Sequence, residues 1–138
     1  MMPVPPGSTI GIVGGGQLGR MLAMAGAQLG YRTHIFAPEA SGPAADMAVA
    51  WTQAAYEDEV ALQRFAESVD VITYEFENVP MRTAALLGTL GHVQPNADAL
   101  GIAQDRLAEK AFVTELGGRT APYAAVESRE ALSEAVAK

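Results

Sequence analysis

The feature that most constrains this chain is a run of glycines set between an apolar strand and an amphipathic helix. Thr9-Ile10-Gly11-Ile12-Val13 is a short apolar run of the kind that forms a buried parallel strand. It leads into Gly14-Gly15-Gly16-Gln17-Leu18-Gly19, a G-x-G-x-x-G pattern. From Gln17 to Leu29, residues Leu18, Met21, Leu22, Ala25 and Leu29 recur at helical spacing. That spacing predicts a helix with those residues on one apolar face, stopped at Gly30. Glycines let the backbone turn tightly and let a ligand approach the main chain. The free N–H groups at the helix start can then hold an anion such as phosphate. Taken alone, the pattern fits either a nucleotide site or a tight turn that binds nothing.

Strand and helix signals alternate through the next eighty residues. Arg32 to Phe36 reads as a second strand, and Ala37 to Ala45, with two prolines and a glycine, as a loop. Ala48 to Thr52 is a third, short strand, followed by a helix over Glu57 to Val69 with Val60, Leu62, Phe65, Ala66 and Val69 as its apolar stripe. Asp70 to Tyr74 is the next strand, and Pro80 opens another helix at a position where its missing N–H costs nothing. His92 to Gln94 is a last strand, with a short helix after Asn96. This order predicts an α/β fold with a parallel sheet covered on both faces. The expected organisation is a flexible leader over residues 1–8, a Rossmann-like domain over 9–104, and the opening of a second domain over 105–138. That second part reads as a helix from Asp105 to Leu116, a Gly117-Gly118 stop, a strand-like Ala121 to Val126 and a helix from Ser128.

A dinucleotide site expects an acidic residue about 20 residues past the glycine loop, at the end of the second strand, to bind a ribose diol. Here the strand ends Ile35-Phe36-Ala37, and Glu39 comes two residues late, beyond Pro38. No arginine stands there for a 2′-phosphate. An NAD(P)-binding domain of an oxidoreductase is therefore the weaker reading. The stretch Tyr74-Glu75-Phe76-Glu77-Asn78-Val79-Pro80 supplies acidity elsewhere. In extended chain Glu75 and Glu77 share one side, at the carboxyl end of a parallel strand, where open α/β sheets bind ligands. A carboxylate there can accept hydrogen bonds from vicinal ribose hydroxyls. His34 and His92 read as structural, and Trp51 and Phe65 as packing residues. Asp105 caps its helix or sits in its first turn. Arg106 reads as either a surface residue or a reach toward a phosphate.

Composition removes several classes. The 138 residues are 49% hydrophobic, enough for one compact core. With no cysteine, disulfides, thiolate metal sites and cysteine nucleophiles are excluded, which fits a cytoplasmic protein. The net charge of −7 argues against nucleic-acid binding through a basic face. No apolar run approaches the length of a membrane span, and the first residues lack the pattern of a signal peptide. No regular spacing of Asp, Glu or His suggests a metal site.

Three stretches together resemble a known family. Ile12-Val13-Gly14-Gly15-Gly16-Gln17-Leu18-Gly19-Arg20-Met21, Tyr74-Glu75-Phe76-Glu77-Asn78-Val79, and Asp105-Arg106 with Lys110 are similar to the 5-(carboxyamino)imidazole ribonucleotide synthetases, the ATPase subunits of phosphoribosylaminoimidazole carboxylase. These belong to the ATP-grasp superfamily. The resemblance runs from about residue 9 to the end of the chain. A related formate-dependent transformylase typically carries Glu where Gln17 stands. The resemblance implies a pre-ATP-grasp domain followed by the start of an ATP-grasp domain. It implies an ATP-dependent ligase that makes carboxyphosphate from bicarbonate and passes the carboxyl group to aminoimidazole ribonucleotide. Gly16, Gln17 and Leu18 would then line the ribonucleotide site, Glu75 would contact its ribose, and Arg106 would contact ATP. ATP and Mg2+ would sit mainly in later domains, so a chain of this length is expected to carry no catalytic residue and to be inactive alone. Relatives of this kind suggest a homodimer. A non-catalytic nucleotide-binding module is the remaining alternative.

Overall fold

The computed structural model describes residues 3–137. Its elements are β1 (Thr9–Val13), α1 (Gln17–Gln28), β2 (Arg32–Ala37), β3 (Ala50–Gln53), α2 (Glu59–Glu67), β4 (Val71–Tyr74), α3 (Met81–Leu90), α4 (Ala97–Gln104), α5 (Arg106–Glu115) and α6 (Arg129–Val136). The chain divides into two compact units, one ending at Gly101 and the other beginning at Ile102.

In the first unit the four strands form one parallel sheet in the order β3-β2-β1-β4. The chain moves outward from β1 through β2 to β3, then returns to add β4 on the other side of β1. The carboxyl ends of β1 and β4 therefore flank the topological switch point, where the connections diverge and leave a crevice. Side chains alternate across the sheet as strand geometry requires. Ile12 and Ile35 enter one cluster with Ala23, Ala37 and Ala44. Val13, Phe36 and Ile72 enter the other, with Leu62, Phe65, Leu87 and Leu100. The first cluster lies under α1 and the second under α2 and α3.

The face of α1 differs from the expected one. Gly19, Ala23 and Gly26 are buried against the sheet, whereas Leu18, Met21 and Leu29 are 52%, 63% and 68% exposed. The cause is proximity. A Cβ on Gly19 would lie 2.8 Å from the carbonyl oxygen of Gly14, so the helix start rides too close to the strand end for a large side chain. The large apolar residues are displaced to the flank. α2 keeps Leu62, Phe65 and Ala66 of its expected stripe, but Val60 is exposed. Asp58 caps α2 by accepting from the Ala61 N–H at 2.9 Å. Gly30, with φ +85°, ends the α1 turn, and the Tyr31 N–H returns to the Gly26 carbonyl at 2.9 Å.

The expected strand at His92–Gln94 reduces to an isolated parallel bridge between Ile72 and Val93. The cis Gln94–Pro95 bond follows at once, and a proline cannot donate to a longer ladder. The expected leader is tied down over its described part: Gly7 N–H donates to Gly30 O at 2.8 Å and the Tyr31 hydroxyl to Val4 O at 2.8 Å. Met1 and Met2 lie outside the described residues.

The regular elements among the described residues of the second unit are helices. Asp105 caps α5 by accepting from the N–H groups of Leu107 and Ala108, both at 2.8 Å. Ser128 caps α6 from Ala131 N–H at 3.1 Å. Ala121–Val126, expected as a strand, is irregular; no neighbouring strand in this unit offers it a ladder. No residue of α5 or α6 is buried.

Candidate functional site

The site lies at the switch point of the sheet, where the loop after β1 meets the end of β4. Gly14 turns the chain with φ +111°, and its N–H donates to Phe36 O at 2.8 Å. Gly16 is the N-terminal boundary residue of α1 and has no side chain with which to cap it. No acidic residue stands in the first turn of α1 either. Two of the donors at this helix start are met by one side chain, 59 and 56 residues away. The Gly16 N–H donates to Glu75 Oε1 at 2.9 Å, and the Gly19 N–H donates to Glu75 Oε2.

Glu75 reaches this place through strand alternation. Ile72 faces the α2 side, so Glu75, three residues on, faces α1. Its own N–H donates to Val13 O at 3.0 Å, extending the β1–β4 pairing one residue past Tyr74. Two of the loop amides expected to be free for a phosphate, those of Gly16 and Gly19, are therefore already held by a carboxylate of the chain. This corrects the expectation drawn from the glycine pattern and further weakens the dinucleotide reading.

A cleft of about 320 Å³ opens beside this junction, lined by Gly15, Gly16, Glu39, Tyr56, Glu75 and Phe76 together with residues 41–43. The loop after β2 is fastened to the glycine loop. Ala44 N–H donates to Gly15 O at 3.2 Å, and Arg20 Nη1 reaches Pro43 O at 3.0 Å and Asp46 at 2.9 Å. Trp51 Nε1 donates to Glu39 O at 3.0 Å, which holds the Glu39 backbone at the rim. Burial, then the nearby Glu39 and Glu75 carboxylates, push the Tyr56 phenol up to about 12. It stays protonated at neutral pH and can donate. The Tyr56 ring is stacked on Phe36 at 6.4 Å. The cleft thus offers carboxylate acceptors, one phenolic donor and apolar ring surface, which suits a ligand rich in hydroxyl or amine donors.

Of the residues singled out from the sequence, Gly16 and Glu75 come together here and line the cleft. Gln17 and Leu18, at the start of α1, are exposed and do not line it. Glu77 is exposed in the turn after β4. Arg106 opens α5 in the second unit, is mostly exposed and pairs with Glu109. Glu39 and Tyr56 were missed as site residues. The lateness of Glu39 after β2 made it look displaced, yet the loop folds back and returns it to the cleft. Nothing local to Tyr56 signalled its role. His34 is structural: its ring nitrogens contact the hydroxyls of Ser68 at 2.9 Å and Thr52 at 2.8 Å, and burial lowers its pKa. Among the described residues no group of three or more His, Asp or Glu is placed to hold a metal ion, and no helix is long and apolar enough to cross a membrane.

Parallel sheet, glycine loop and strand-end carboxylate define a Rossmann-like α/β domain. Residues 7–104 match the family model of the ribonucleotide synthetase preATP-grasp domain, and the chain belongs to that family. It is 53% identical over 131 residues to the N5-carboxyaminoimidazole ribonucleotide synthase of Brucella melitensis, covering 95% of this chain and 36% of that one. It is 47% identical to the bifunctional purine synthesis protein purC/E of Dictyostelium discoideum, covering 98% of this chain and 14% of that one. Among solved structures, an ADP complex of an N5-carboxyaminoimidazole ribonucleotide synthetase superposes with a TM-score of 0.89 at 40% identity, over 97% of this chain and 36% of that one. The Thermus thermophilus synthetase does so with a TM-score of 0.82 at 44% identity, over 93% and 35%. The chain thus spans about a third of the length of the synthetases it matches.

Proposed function

We propose that this chain is the N-terminal, ribonucleotide-binding part of an ATP-dependent ligase that carboxylates aminoimidazole ribonucleotide. The observation that carries the reading is Glu75, held by two loop amides at the switch point and open to the cleft. A carboxylate has about four lone-pair sites. Two are taken by Gly16 and Gly19, and the remainder can accept the vicinal hydroxyls of a ribose. The backbone around Gly16 and, beyond the cleft lining, the exposed Gln17 and Leu18 complete the ribonucleotide contacts in this reading, and the Tyr56 phenol adds a neutral donor.

In the reaction, bicarbonate oxygen attacks the γ-phosphorus of ATP to give carboxyphosphate and ADP. The ribonucleotide amine then takes the carboxyl group, and phosphate leaves. Residues 105–138 are read as the start of the ATP-grasp domain, with Arg106 directed to ATP. Mg2+ belongs to the same reading and would sit mainly in later domains; among the described residues no group of three or more His, Asp or Glu is placed to hold it. Bicarbonate as co-substrate, a cytoplasmic location and a homodimer complete the proposal; the uncovered apolar flank of α1 favours an association.

The test is ADP release by the protein at its natural length, with ATP, Mg2+ and bicarbonate, with and without aminoimidazole ribonucleotide. The 138-residue chain runs beside it. Ribonucleotide-dependent release from the long form and none from the short form is the expected result. A long form that the ribonucleotide does not stimulate would overturn the proposal.

A further inference from the structure

We propose that Glu75 is the resident anion of the glycine loop and makes it refuse phosphate. In loops of this pattern the N–H groups at the helix start face a ligand phosphate, favoured by the positive end of the helix dipole. Here two of these groups are filled from within. Gly16 N–H and Gly19 N–H donate to opposite oxygens of one carboxylate. The glycines fit that carboxylate rather than a ligand: an added Cβ at Gly16 would lie 2.9 Å from Glu75 Oε1, and one at Gly19 would lie 2.8 Å from Oε2. A Cβ at Gly14 would likewise meet the Glu75 carboxyl group, at 2.8 Å from Oε1. Three glycines of the motif thus clear space for the same side chain. α1 has neither a side-chain cap nor an acid in its first turn, so Glu75 is the negative charge set against its start.

The consequence is a specificity rule. A pyrophosphate approaching the loop meets a carboxylate in its place and is repelled, while hydroxyl or amine donors are accepted by the oxygen lone pairs the loop leaves open. The inference rests on the loop geometry alone and stands whether or not the ligand is aminoimidazole ribonucleotide.

The test uses the 138-residue chain, labelled with nitrogen-15 and titrated with inorganic pyrophosphate. In the unsubstituted chain the Gly16 and Gly19 amide resonances should not move saturably. In Glu75→Ala they should, with affinity at least tenfold tighter. Equal saturable shifts in both proteins, or none at either amide in a folded Glu75→Ala, would overturn the proposal. Should Glu75→Ala fail to fold, Glu75→Gln keeps the volume and supplies one acceptor oxygen. Hydrogen exchange should then stay slow at one of the two amides and quicken at least tenfold at the other; unchanged protection at both refutes the resident anion.

Discussion

Two glycines on the same buried face of α1 should respond to alanine with opposite sign. At Gly19 an added Cβ would lie 2.8 Å from Glu75 Oε2 and 2.8 Å from Gly14 O. The first contact can be relieved only by withdrawing a carboxylate from the Gly19 N–H, and the second is backbone. Overpacking costs ~1–3 kcal/mol, and loss of a hydrogen bond to a charged group ~1.5–3 kcal/mol. Against these, alanine gains ~1 kcal/mol in helix propensity. Gly19→Ala should therefore destabilise by about 1.5–5 kcal/mol. At Gly26 the nearest atom to an added Cβ is Thr33 Cγ2 at 3.6 Å, an ordinary contact. Only the propensity gain remains, and Gly26→Ala should stabilise by ~0.5–1 kcal/mol. Urea unfolding followed by circular dichroism reads both. With a slope of about 2 kcal/mol/M, the Gly19→Ala midpoint should fall by roughly 0.7–2.5 M while that of Gly26→Ala rises slightly. A Gly19→Ala chain as stable as the parent, or two substitutions of the same sign, would refute the argument that Glu75 and the Gly14 carbonyl fill the space over this turn.

In the natural-length protein, Glu75→Ala should raise the dissociation constant for the ribonucleotide at least tenfold, since hydrogen bonds to a charged group are worth ~1.5–3 kcal/mol each; an unchanged constant in a substrate titration removes Glu75 from the site. The phenol of Tyr56, raised from 10.0 to about 12, binds its proton longer in the folded chain than in the unfolded one. Stability from this group is therefore fully present below pH 10 and lost as pH rises toward 12. Urea midpoints at pH 9 and 11 should show a smaller fall in Tyr56→Phe than in the parent, and equal falls would contradict the shift. Asp105→Ala should cost ~1 kcal/mol in α5 and speed amide exchange at Leu107 and Ala108; no change at either refutes the cap.

Much of the fold was legible because it rests on local signals. Thr9–Val13 coincides with β1, the glycine turn and Gly30 bracket α1, and Asp58, Pro80, Asp105 and Ser128 each stand at the start of a helix. The misreadings share one cause, which is that pairing and proximity are not local. Ala121–Val126 has strand composition but no ladder in its unit, and His92–Gln94 is cut short by Pro95 after a single bridge. The spacing of Leu18, Met21, Leu22, Ala25 and Leu29 marks an apolar flank, but not the face that packs on the sheet. It does not say that the sheet comes so close that only Gly19, Ala23 and Gly26 fit beneath.

The site follows the same division. Glu75 and the glycine loop could each be found from sequence, one by its place at a strand end and the other by its pattern. Their contact could not, because it spans 59 residues and depends on β4 pairing beside β1. That contact changes the meaning of the motif. A glycine loop read alone is a phosphate cradle; with β4 adjacent and a glutamate one residue past its end, the same glycines become the housing for a carboxylate. The late Glu39 is reassigned by the same logic. The loop that carries it is folded back, held at its backbone by Trp51, and returns it to the cleft beside Glu75. The two glutamates thus make the cleft an acceptor surface, and the ligand chemistry is set by which strand stands next to β1.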